Sequence, residues 1–175
     1  GESAGNGSLD TTANSLDVSV TAAGLINLNE TNAVTLTDID TFNGPITIVA
    51  GGSMTATDVA SLTDADANDI TLTTTSGNIA VGTIVAGAAG DAFLTAAAAI
   101  TDIDAVNPDI SADDIVLLST AGVGTSVDPL ETVATNLEST GGTGGVFVAN
   151  TGSLTIGNIG GTVGLSATGG SIVVT

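Results

Sequence analysis

Short aliphatic runs alternating with Thr, Ser, Asn and Asp fill the chain from end to end. Val, Ile and Leu recur at alternate positions, the pattern of strands with one face buried. Three runs open with Asp and continue as strand: Asp69-Ile70-Thr71-Leu72, Asp91-Ala92-Phe93-Leu94 and Asp114-Ile115-Val116-Leu117. Their Asp residues are 22 and 23 positions apart. The register extends back to Ile48, 24 before Leu72, and to Ile26, 22 before Ile48. Forwards it reaches Val148, 31 after Leu117, and Leu165, 17 after Val148. A period near 22 with tolerated insertions is the signature of a solenoid coil.

A second landmark fixes a corner. Small residues precede an aliphatic in Gly52-Ser53-Met54, Gly77-Asn78-Ile79, Gly152-Ser153-Leu154 and Gly170-Ser171-Ile172, with Gly7-Ser8-Leu9 as a further copy. The first four of these aliphatics lie 6 or 7 residues after their core partners, as in Ile48 to Met54 and Leu72 to Ile79. That spacing describes one short strand, a tight turn and the start of a second strand, with Gly and Asn suited to the turn. The chain is therefore expected to be all-β, a parallel β-helix of about eight coils near 22 residues each. Inward aliphatics would stack in columns such as Ile48/Leu72/Leu94/Leu117. Residues 1–175 read as one continuous solenoid segment of a longer chain. The long gap from Leu117 to Val148 places an excursion at 124–145, with Gly141-Gly142-Thr143-Gly144-Gly145 as its flexible return. An immunoglobulin-like sandwich would repeat at about 100 residues, far from the observed period.

Composition agrees with a narrow core. Hydrophobic residues make up 42% of the chain and mean hydropathy is +0.51, so the chain folds despite a net charge of −19. Only three Phe carry aromatic surface, which leaves Ala, Val, Ile, Leu and Gly to fill the interior. The charge comes from 15 Asp and 4 Glu, with no Lys, Arg or His. Such a chain is expected to bind no nucleic acid, whose affinity depends on basic side chains, and to avoid anionic membranes. No apolar stretch approaches the ~20 residues of a spanning helix. Trypsin finds no site to cut. The absence of Cys says nothing about redox compartment.

Catalysis is judged by elimination. Without His, Lys, Cys or Tyr, a Ser or Thr nucleophile has no ordinary base except a carboxylate. Paired carboxylates cleave glycosides, but such sites also use basic or aromatic residues to hold the sugar. The expectation is a protein that is not an enzyme.

Acidic loops are expected at 57–69 and 101–114. Asp64, Asp66 and Asp69, with Asn68, place oxygen ligands in the manner of a hard-cation loop. The EF-hand Gly and distal Glu are missing. Asp102 and Asp104, with Asp109 and Asp113, form a looser group. Calcium is one reading of these residues; the other is that Asp and Asn build turns and keep the surface soluble.

The segments Ala33 to Asp38 (AVTLTD), Ala67 to Thr73 (ANDITLT) and Thr151 to Gly157 (TGSLTIG), and the long stretch from Ile115 to Gly157, resemble repeats of giant filamentous-haemagglutinin-like bacterial surface proteins. The resemblance is compositional and periodic and covers most of the chain. It implies a right-handed β-helical stalk or fibre, secreted or on the cell surface, with no catalytic motif to carry over. Two functions follow as expectations. One is a structural component of an extracellular fibre, whose partner is itself, end to end or side by side, or another surface component. The other is an adhesin stalk with a calcium-stabilised acidic half that displays a binding tip outside this segment.

Overall fold

A computed structural model describes residues 7–104, 108–160 and 164–175. Among these residues the regular elements are all strands. The pairings between them are parallel throughout. One sheet stacks β1 (Leu9–Thr11), β3 (Ile26–Glu30), β5 (Ile46–Ala50), β7 (Ile70–Thr74), β9 (Ala92–Ala96), β12 (Asp114–Ser119) and β15 (Asn136–Thr140). Two short strands, β17 (Thr155–Ile156) and β18 (Leu165–Ser166), share the far edge of β15. The other sheet begins with the long strands β2 (Ser15–Ala23), β4 (Val34–Asn43), β6 (Met54–Ser61) and β8 (Ile79–Val85). In the next two coils it splits into β10 (Ala99–Asp102) with β11 (Ile110–Ser111), then β13 (Gly122–Val123) with β14 (Leu130–Val133). It rejoins in β16 (Gly145–Asn150) and closes on β19 (Ser171–Val174). The chain is thus a parallel β-solenoid of about seven turns, one fewer than its length suggested. At the ~4.8 Å spacing of paired strands the rod is on the order of 35 Å long.

The long strands turn a corner partway. In β4 and β6 the inward–outward alternation breaks at two successive outward residues, Thr37-Asp38 and Thr57-Asp58. A flat strand cannot place neighbours on one face, so these pairs mark bends. Inside, like residues stack. One column runs Leu28, Ile48, Leu72, Leu94 and Leu117, with the last four fully buried. A second runs Val34, Met54, Ile79, Ile100, Val123, Val146 and Ile172. The column of Ile39, Val59, Ile84 and Ile110 ends in Thr132 and Asn150. There the Thr132 hydroxyl donates to Asn150 Oδ1 at 2.9 Å, so the polar pair satisfies itself.

Several expected positions move. Ile48 pairs with Leu28, and Ile26 with Ile46; the slip is by two residues, which keeps both side chains on the inner face. Val148 lies in the other sheet, beside Leu130 and Val174, and Ser139 continues the Leu117 column. Leu9 pairs with Leu28 rather than occupying a corner. Asp58 and its neighbours, expected in a loop, belong to β6.

The chain does leave the coil after Val123, but it returns at Leu130, well before residue 145. Leu130 and Leu137 are fully buried in opposite sheets. The glycine run is a packed corner, not a flexible return. A Cβ on Gly142 would fall inside the Thr120 carbonyl of the preceding coil, and one on Gly144 inside that of Ala121. Gly142 also adopts a φ of +52°, which side-chain-bearing residues rarely take.

Substitutions at Leu94 and at the glycine corner check this register. Leu94→Ala is expected to cost about 2–5 kcal/mol in chemical denaturation, and Leu94→Asp to abolish folding by burying an unpaired charge. Gly142→Ala is expected to lower the melting temperature more than an alanine at Gly160, whose surroundings are open and whose φ is not positive. Equal tolerance at the two glycines would mean that the corner is not close-packed.

Candidate functional site

The Asp residues that open strands of the first sheet bond from coil to coil. Asp69 Oδ1 accepts the N–H of Asp91 at 3.2 Å, and Asp91 Oδ1 accepts that of Asp114 at 3.1 Å. Asp114 Oδ1 then accepts from the side-chain amide of Asn136 at 2.6 Å. The neighbouring loop is built the same way. Asp64 Oδ1 accepts the N–H of Ala89 at 2.8 Å, while the buried Asn68 amide donates to the Thr63 carbonyl and to Asn43 Oδ1. Asp66 is exposed on that loop.

Among the described residues, carboxylate oxygens converge to within 4.8 Å of one another in two places: Asp91, Asp113 and Asp114, and Asp102, Asp109 and Glu131. Neither group contains Asp64, Asp66, Asp69 or Asp104, so the structure brings together only Asp102 of those five. Asp104 instead turns back on Asp102, its N–H donating to Asp102 Oδ1 at 2.8 Å.

The second group forms where the second sheet splits. Asp102 ends β10 and pairs with Val81, in the inward column of Leu36 and Ala56. Asp109 immediately precedes β11, and Glu131 lies in β14 one coil further. Asp109 has no exposed surface. Its Oδ2 accepts the Glu131 N–H at 2.7 Å, and its Oδ1 is buried without a hydrogen-bond partner. Two charges at this separation repel by roughly 3 kcal/mol at an effective dielectric of ~20. Burial pushes the Asp109 carboxyl up and Asp102 and Glu131 push it further, against the hydrogen bond from the Glu131 N–H; the result is about 8.

Elsewhere the same forces act more weakly. Burial raises Asp58, helped by Asp38 and Asp40. Burial also raises Asp91. At Glu30 burial again pushes up, but donors from Thr11, Ala13, Asn32 and Thr31 outweigh it, and the carboxyl ends below its usual range. Glu138, buried in β15, accepts the Ile159 N–H through Oε1.

The pairing of Asp109 with Glu131 escaped the sequence reading, although the two lie 22 residues apart, one period of the coil. Asp-to-Glu is a less visible repeat than Asp-to-Asp. The chain matches no protein-family model, no curated protein and no solved structure in comparisons with known proteins.

The raised carboxyls set a pH dependence. Asp58, Asp91 and Asp109 hold their protons more tightly in the folded chain than in the unfolded chain, where Asp titrates near 3.8. Stability from these groups is present below that value and is lost as pH rises through the folded values, up to about 8 for Asp109. In metal-free buffer the melting temperature is expected to increase on acidification from about pH 8.5 to about pH 5. Asp109→Asn should flatten that slope. A melting temperature that falls over this interval would contradict the assignment.

Proposed function

We propose that this chain is a structural spacer, a segment of an extracellular or cell-surface fibre or stalk, and that it is not an enzyme. The observation that carries the reading is the direction of its polar contacts. The Asp69–Asp91–Asp114–Asn136 column, the Thr132–Asn150 pair and the Asp64–Ala89 bond all run along the rod axis, coil to coil. Side chains that a binding or catalytic protein would turn toward a ligand here hold one turn to the next. The inner column from Val34 in β4 to Val146 in β16 is apolar throughout. The filamentous-haemagglutinin-like character of the repeats supports the same reading, as does a surface with no basic residue.

The partner that best fits such a rod is another solenoid segment. Among the described residues, β19 pairs on one side only, with β16. Its Ile172 continues the Val123–Val146 column and is 44% exposed. A strand edge of this kind templates a further strand, and no charged residue lies between Ser139 and Thr175 to oppose one.

Electron microscopy and sedimentation of the purified chain test this directly. Particles one coil wide whose length grows with concentration are expected, and Ile172→Lys should shorten them while leaving the melting temperature within a few degrees. Rods of constant length at every concentration, unaffected by Ile172→Lys, would overturn self-assembly and favour an isolated stalk.

A further inference from the structure

We propose that Asp102, Asp109 and Glu131 bind a hard divalent cation of the calcium class at the split in the second sheet. The three carboxylates come from the two lips of one excursion and from the coil beyond it, and their oxygens lie within 4.8 Å of one another. Calcium takes oxygen ligands at about 2.3–2.6 Å, so ligands facing across the ion stand about 5 Å apart; magnesium would draw them to about 4 Å. Oxygens no more than 4.8 Å apart can all reach one such ion.

A second observation points to a ligand. Asp109 is fully buried, and Oδ1 has no donor while Oδ2 takes the Glu131 N–H. A buried carboxylate oxygen requires a positive partner or a proton, and the chain contains no Lys, Arg or His. Asp102 strengthens the case, because it stands in the column occupied by Val81, Ala56 and Leu36 one, two and three coils earlier. The Asp102 carboxylate is half-buried there and also accepts the Asp104 N–H through Oδ1. Glu131 borders an open groove with Pro108, Val133 and Asn150, from which water can complete the coordination.

The other acidic group lacks this feature. Asp91, Asp113 and Asp114 are half-buried, and the Asp91 and Asp114 carboxylates already accept hydrogen bonds from the next coil. A cation at Asp102, Asp109 and Glu131 would tie two coils together at the roots of the excursions that follow β10 and β13. This site does not depend on whether rods join end to end.

Calorimetric titration of the chelator-stripped chain with calcium chloride, with melting curves in calcium and in chelator, tests the site. One saturable site of sub-millimolar affinity is expected above the weak background of surface carboxylates, with a calcium-dependent rise in melting temperature. Asp109→Asn should weaken that site at least tenfold and remove the rise. Asp102→Asn, at a half-buried position that tolerates an amide, should do the same, while Asp91→Asn should leave both unchanged. A calcium response that persists undiminished in Asp109→Asn would overturn the proposal. So would the absence of saturable binding, which would show that a proton shared by Asp109 and Glu131 neutralises the cluster.

Discussion

Every turn of this protein must satisfy its peptide groups with the turns above and below it. In-register parallel pairing does this at a spacing of ~4.8 Å, and the rest of the structure follows from that spacing. A residue's nearest neighbours are its own equivalents about 22 positions away, so side chains succeed or fail by column. Aliphatic columns seal the interior without any large aromatic residue, as at Leu72, Leu94 and Leu117. An inward polar residue can be satisfied by the next coil, as Thr132 is by Asn150.

The same rule makes acidic columns unavoidable once Asp is used repeatedly, and no basic side chain exists to balance them. Three different environments result. Asp69, Asp91 and Asp114 pass hydrogen bonds up the rod, so each carboxylate is stabilised by a donor from the next turn. Asp17, Asp38 and Asp58 face outward at a bend, where burial and the neighbouring Asp38 and Asp40 still raise Asp58. Asp109 has neither enough donors nor water, and it is there that the carboxyl is displaced furthest from its ordinary range.

Irregularity is confined to places where the column rule is interrupted. The excursion after β13 leaves its coil at one corner, and the second sheet is also interrupted between β10 and β11. Because the strands on either side remain paired, these departures change the surface without breaking the core. The wall between turns is held by hydrogen bonds and apolar contact alike. Chemistry that departs from the repeat gathers at the roots of the excursions, where columns lose their regular neighbours.

The sequence by itself determined the class of fold, the period, the column from Ile48 to Leu117 and the corner residues Met54, Ile79 and Ile172. Alternation and recurrence are local properties, and a parallel stack converts them directly into contacts. Tertiary structure alone decided which of two similar aliphatic runs belongs to which sheet. Val148 resembles a continuation of Leu117, but both sheets carry the same alternating pattern, and only the full circuit of the chain assigns it to the second. It also decided that Gly141–Gly145 is a close-packed corner, since a glycine run signals freedom and small size equally. Asp102 and Asp109 were legible as one acidic group, but the place of Glu131 beside them was hidden for a related reason. Asp102 and Asp109 are seven residues apart and Glu131 lies one full period beyond Asp109, and their convergence depends on how β10 and β11 sit against β14 across coils, which no single repeat in the sequence encodes.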